Sequence, residues 1–397
     1  MKTPLNKPYS GLRVLDLSQG VAGPYCAMIL LENGAEVIKV EPPAGDWSRS
    51  IGFGPEGMSA LAIAYNLGKR SICIDARNEK GRNLIHKLAL QADVVIESFR
   101  PGVIERLGLS YADLSKERPN LVYVSVTAFG PDGPYADRPG SDSTLQAMSG
   151  MMVVNRDGNN NPRKVGILLI DVATGIYAAQ ATGVALYRRA VQGIGGHVNI
   201  SLLDTAAAVQ SGAIIDQMLS EGRPLQPLSV PAGTFTTQDG HINVTSLHDR
   251  MFVGLCSAIE KPAWAADSRF SSAAGRFAHA EEINTALHLI FREKPTDHWV
   301  KLLSKHGVVC GKVSGYTDFL DDPQVRHQQI FQPSALNGAS EVQIPRIPGT
   351  ENNGTEKHSP RQGENTREIL AELGLSQAQQ QELFDAKVVL SWQSGSD

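Results

Sequence analysis

The first two hundred residues alternate short aliphatic and β-branched runs with longer stretches of helical periodicity. Residues 12–17 read as a strand ending in Ser18-Gln19-Gly20, and 24–33 as a helix stopped by Gly34, a residue suited to the position after a helix. Strand-like runs follow at 36–41, closed by Pro42-Pro43, and at 71–75, 93–97 and 121–127, with a charged amphipathic helix at 78–91. Strands separated by helices predict right-handed crossovers and a mostly parallel, doubly wound α/β sheet. Beyond it the pattern predicts a long helix from Asp171 to 189, a strand at 197–201 and a helix at 202–221.

The character changes at 224–231, where prolines cluster. Residues 233–244 then alternate around Asp239-Gly240, the signature of a β-hairpin, and helical segments continue to 305. The stretch 345–364 is rich in Gly, Asn, Pro and charge and reads as a surface loop, after which Gly363-Glu364-Asn365-Thr366 opens a helix to 373. The pattern divides the chain into an α/β segment, 1–222, a smaller α+β segment, 223–325, and a C-terminal segment, 326–397.

Composition removes several classes of function. A formal charge of −4 gives no general attraction for nucleic acid or an anionic membrane surface. No apolar run reaches the length of a transmembrane helix, and the polar residues 1–10 lack the core of a signal peptide. Cys26, Cys73, Cys256 and Cys310 are scattered without CxxC or metal-ligand spacing, so free thiols in a reducing cytoplasm and no metal site are expected.

The residue with most chemical promise is Asp171, a lone carboxylate between an apolar run and the small-residue helix that follows. Such an aspartate is ordinarily a helix cap; in a dry pocket it is a nucleophile or proton carrier. The turn after the first strand, Gly20-Val21-Ala22-Gly23, is not the GxGxxG of a dinucleotide site, and no P-loop is present.

Other stretches are more specific in combination. They are Gly11-Leu12-Arg13-Val14-Leu15-Asp16-Leu17 with Ala22-Gly23-Pro24, and Gly34-Ala35-Glu36-Val37-Ile38-Lys39-Val40-Glu41-Pro42-Pro43. Next come Asn66-Leu67-Gly68-Lys69-Arg70-Ser71, Asp93-Val94-Val95-Ile96-Glu97-Ser98-Phe99-Arg100-Pro101-Gly102 and Ser125-Val126-Thr127-Ala128-Phe129-Gly130. With Asp171-Val172-Ala173-Thr174-Gly175, their order and spacing closely resemble the class III coenzyme A transferases, the family of formyl-CoA:oxalate transferases and α-methylacyl-CoA racemases. The resemblance implies a Rossmann-like large domain completed by the C-terminal return, a smaller domain between, and two chains interlocked as a homodimer.

Carried over residue by residue, the resemblance makes Asp171 the catalytic nucleophile, passing through an aspartyl anhydride and an aspartyl-CoA thioester. It makes Val21, Ala22, Ile74, Asp75, Arg77, Ser98, Phe99, Arg100 and Arg106 candidates for binding coenzyme A, and Ser141 and Asp142 neighbours of the acyl site. Coenzyme A enters as a thioester substrate, and no tightly bound cofactor is implied. Asp142 reads equally as a cap for a helix at 143–152. The racemases carry a histidine where Ser141 stands, and serine is no proton carrier near neutrality without a base beside it. A cytoplasmic transferase acting on an acyl-CoA and a carboxylate, with a succinyl-CoA-like donor and a dicarboxylate acceptor, is therefore expected ahead of a racemase or a non-catalytic CoA-binding homologue. Val21 and Pro42 depart from the glutamine and arginine of the formyl-CoA enzymes. The family's glycine-rich lid is not evident in Val230-Pro231-Ala232-Gly233, and His248 lies near where the family places a loop over the active site.

Overall fold

The structure is a computed structural model that describes residues 7–55, 57–223, 227–335, 341–350 and 357–392. Among these, the strands are β1 Arg13–Asp16, β2 Glu36–Glu41, β3 Arg70–Ile74, β4 Val94–Glu97, β5 Val122–Thr127, β6 Gly196–Ser201, β7 Ala232–Thr236, β8 His241–Thr245, β9 Val309–Lys312, β10 Phe331–Ala335, β11 Glu341–Pro345 and β12 Val389–Leu390. The chain forms two compact units, Met1–Ser211 with Gln329–Asp397, and Gly212–Gln328. These limits stand beside the expected breaks after residues 222 and 325.

The first unit is built on a seven-stranded sheet in the order β12-β3-β2-β1-β4-β5-β6. All neighbours are parallel except β12, which pairs antiparallel with β3. Alternation within each strand divides two cores. Val14, Val94, Ile96, Val122 and Val124 pack on one face with the helices Ala22–Glu32 and Leu169–Gln192. Leu15, Val95 and Tyr123 join the other core with the helices Glu79–Gln91 and Thr366–Glu372. Because both faces are covered, the strands read as nearly continuous apolar runs.

The helix Leu169–Gln192 is long and apolar enough to cross a membrane by length and composition alone. Its buried stripe, which includes Ile170, Thr174, Ala178 and Leu186, is instead part of the sheet's core. Gly175 makes its close packing possible, since a Cβ there would stand 2.8 Å from the Ala22 carbonyl oxygen. Gly193, at φ +73°, ends the helix in the left-handed conformation.

The second unit holds an antiparallel sheet in the order β7-β8-β9. Phe235, Ile242, Val244, Phe252, Leu255 and Phe291 lie in its core. The hairpin expected at 233–244 is thus present as β7 and β8. The single helix expected at 202–221 is corrected to two, Leu202–Ala208 and Ser211–Leu219, with Gln210 turned back onto the Ala206 carbonyl at 2.8 Å. The loop expected at 345–364 is described only in part, and β11 ends at its first residue, Pro345. All four cysteines are free.

Candidate active site

In the order β3-β2-β1-β4-β5-β6 the direction in which strands are added reverses between β1 and β4, and a doubly wound sheet opens a crevice beyond the strand ends at such a point. There the structure has a cavity of about 630 Å³. Its walls come from the loops after β1, β4 and β5 and from the first turns of several helices. The N-terminal ends of Ala22–Glu32 and Leu169–Gln192 both face it, through Val21 and Ala22 and through Leu168 and Asp171. Helix N-termini carry partial positive charge and free amides, which favours anions.

Buried charge supports the loop after β1. Lys39 Nζ lies 2.8 Å from Asp46 Oδ2 and donates to the Ser18 carbonyl at 2.9 Å. Lys69 Nζ lies 2.8 Å from Asp16 Oδ2. Asp46 also accepts the Gly20 and Ser48 amides, each at 2.9 Å. Burial alone would raise both aspartates, but the lysines beside them outweigh it and hold them below the usual carboxylate range. Gly20 sits at φ +82°, and a Cβ there would come within 2.1 Å of the Trp47 ring, so the indole lies directly against bare backbone. The loop after β4 is tied to the same place, because Ser98 Oγ accepts the Gln19 amide at 3.0 Å. Glu97 accepts the Phe99 amide at 2.8 Å, and burial pushes its carboxyl up to about 7.

Asp171 occupies the first turn of Leu169–Gln192. It does not cap that helix, which corrects the ordinary expectation. Leu168 at the N-cap supplies no side-chain bond, and the carboxylate of Asp142 reaches across to take the Ile170 amide at 2.7 Å and the Asp171 amide at 3.2 Å. Asp142 is not the cap of its own helix either; the helix is Asp142–Met148, and Ser141 caps it by accepting the Thr144 amide at 3.4 Å. With its backbone held and its side chain at the cavity wall, the Asp171 carboxyl is pushed up to about 7, first by burial and then by the negative charge of Asp142.

Of the residues singled out in the sequence, Val21, Ala22, Ser98, Phe99, Arg100, Ser141, Asp142 and Asp171 converge on this one cavity. Ile74 does not join them: it is buried in the core beneath the end of β3. Asp75 and Arg77, just beyond β3, pair with each other at 2.9 Å, with Arg77 open to solvent. Arg106 ends the short helix Val103–Arg106 and is absent from the cavity's wall. His248 lies in the second unit, where its Nδ1 accepts the Met251 amide at 3.3 Å and caps the helix Asp249–Ala258. Sequence reasoning missed Gln19, Trp47 and Arg138, which also line the cavity. Arg138 was the most accessible of them, as a cation three residues before Ser141; its guanidinium rests 3.9 Å from the Tyr135 ring centroid.

The chain is similar to known proteins over most of its length. Residues 9–366 match the model of the family described as CoA-transferase family III. A succinate–glutarate CoA-transferase of Agrobacterium fabrum is 32% identical over 92% of this chain and 96% of its own. The human succinyl-CoA:glutarate CoA-transferase is 30% identical over 85% of this chain and 79% of its own. The crystal structure of a CaiB/BaiF family protein from Brucella suis superposes with a TM-score of 0.82 at 33% identity, covering 93% of this chain and all of the other.

Proposed function

This chain belongs to CoA-transferase family III, and we propose from that premise that it moves coenzyme A from an acyl-CoA to a free carboxylic acid with Asp171 as its covalent nucleophile. The observation that carries the assignment is the Asp171 carboxyl at the wall of the switch-point cavity, its backbone fixed and its proton affinity matched to neutral pH. A carboxylate is a weak nucleophile. It competes with water only when positioned and partly desolvated, and this arrangement provides both conditions.

The reaction follows as a sequence of acyl transfers. Ionised Asp171 attacks the donor thioester carbonyl; the C–S bond breaks, CoA leaves as thiolate, and a mixed anhydride remains. The thiolate attacks the aspartyl carbonyl of that anhydride, releasing the donor acid and leaving an aspartyl-CoA thioester. The acceptor carboxylate attacks this thioester, expelling the thiolate and forming a second anhydride. Attack by the thiolate on the acceptor's acyl carbon gives the product thioester and regenerates Asp171. Each step develops negative charge on oxygen close to two helix N-termini, whose orientation favours it.

We assign the pantetheine path to the loops at Val21, Ala22 and Ser98–Arg100, with Arg100 and Arg138 as the cations nearest the cavity. Arg77 already pairs with Asp75, so a phosphate there shares the guanidinium with a carboxylate. Ile74 and Arg106 remain candidates only for the outer, nucleotide end. A succinyl-CoA-like donor and a dicarboxylate acceptor are supported by the names of the relatives from Agrobacterium fabrum and human. The working form is taken as an interlocked homodimer, in keeping with exposed Val184, Tyr187 and Val191 on the helix Leu169–Gln192. A cytoplasmic setting accords with four free cysteines.

The test is to incubate the protein with succinyl-CoA, trap with hydroxylamine or borohydride, and map the modified peptide by mass spectrometry. Modification at Asp171 is expected. Exchange of the α-proton of an acyl-CoA without any modification of Asp171 replaces this reading with an isomerase.

A further inference from the structure

We infer that Gln146 is the residue that positions Asp171, acting through Asp142 and the loop that precedes the catalytic helix. This rests on the reading of Asp171 as nucleophile and adds to it a fixed support. Gln146 is fully buried, in the middle of the short helix Asp142–Met148. All its polar atoms are spent on one task. Its Nε2 donates to Asp142 Oδ1 at 2.6 Å and to the Ile167 carbonyl at 3.4 Å, while its Oε1 accepts the Val165 amide at 2.9 Å. Asp142 uses its other oxygen for the Ile170 and Asp171 amides. The chain of contacts therefore runs from one buried amide, through one carboxylate, to the backbone of the nucleophile.

The chemistry of a primary amide suits this position in a way that its neighbours in size do not. It offers a donor to a carboxylate and an acceptor to a backbone amide at the same moment, without adding charge beside Asp142 and Asp171. A glutamate here would face Asp142 with a second negative charge, and a methionine would fill the space but remove the partner of the Val165 amide, the Ile167 carbonyl and one carboxylate oxygen of Asp142. Three of the four groups that Gln146 and Asp142 hold in the preceding segment and the helix start, Val165, Ile167 and Ile170, lie within six residues of Asp171. A shift of this loop is a shift of the nucleophile.

The inference predicts a loss in turnover rather than in substrate affinity. Gln146→Met should lower kcat by roughly a hundredfold while the donor KM stays within about threefold, since misplacement of a reacting group acts on the chemical step. Gln146→Glu should cost more. The double variant Asp142→Asn with Gln146→Glu reverses the polarity of the contact: the introduced amide donates to the introduced carboxylate, and its oxygen still accepts the Ile170 amide. It should recover at least about tenfold over Gln146→Glu alone, a coupling that independent sites do not show. Rates are to be normalised to the folded, CoA-binding fraction, determined by calorimetric titration with CoA at 15 °C. Asp171→Asn runs alongside. If Gln146→Met keeps kcat within twofold, if the loss lies in KM alone, or if the double variant gains nothing, the role of Gln146 is overturned while an inactive Asp171→Asn leaves the nucleophile standing. An active Asp171→Asn removes the nucleophile itself.

Discussion

In the proposed mechanism, Asp171 pairs a catalytic advantage with a cost in stability. Its carboxyl is raised to about 7, so near neutrality about half of the free enzyme holds it ionised and ready to attack. The kcat/KM for the acyl-CoA donor should therefore rise with pH and level off above about 7. Asp142→Asn removes the neighbouring negative charge and should move that limb to lower pH, which a pH–rate profile of the two proteins will measure. The sign for stability is the reverse. A carboxyl raised on folding stabilises below its unfolded pKa, and that contribution disappears as pH climbs through the folded value. Asp171→Asn should accordingly abolish transfer, by about a thousandfold or more, yet raise the melting temperature at pH 8 by roughly 2–4 °C. At pH 4 the gain should vanish; a gain of equal size at both pH values sinks the argument.

At the scale of elements, the site depends on how closely two helices meet. Gly175 on Leu169–Gln192 lies against the Ala22 carbonyl and the Tyr25 side chain at the start of Ala22–Glu32. Gly175→Val has no room on either side, and the carbonyl cannot rotate away as a side chain does. It should destabilise the protein by about 1–3 kcal/mol in a denaturant titration, and lower kcat by parting the two N-termini that flank the cavity.

The limits of the sequence show at this scale too. β2 was legible to the residue because Pro42-Pro43 cannot continue a ladder, and the helix Glu79–Gln91 because its apolar spacing and the Asn78 cap agree. β12, only two residues long, has no period to detect, and the break in 202–221 falls at Gln210, whose side chain donates to the Ala206 and Ser149 carbonyls. The place of Asp171 at a cavity was legible through its motif and its apolar surroundings. Gln146 was not: a glutamine in a seven-residue helix looks like a solvated residue until the fold buries it. Trp47 was hidden for a different reason, since its place depends on Gly20 across the loop.

For the molecule as a whole, the unpaired surface of Leu169–Gln192 matters most. Tyr187 is 73% exposed and Val184 60%, on the helix whose other side forms the core. Analytical ultracentrifugation should find twice the chain mass at micromolar concentration. Tyr187→Glu combined with Val184→Glu should shift the protein to monomer or aggregate, with activity falling in parallel. A wild-type monomer with full activity contradicts the dimeric assignment.

The return of the chain to β3 has one more consequence, for how the protein is made. Val389–Leu390 pairs with Ile74 and Cys73, Thr366 accepts the Cys73 amide, and Asn365 exchanges hydrogen bonds with Ser71. On the ribosome, β3 emerges before these C-terminal partners, which follow only after the whole second unit. Until then the sheet has an open edge on the β3 side, able to recruit any extended segment nearby. Closure of that edge therefore waits on residues about three hundred positions later in the chain, and until they are added the exposed ladder of β3 is the part of the sheet most open to mispairing.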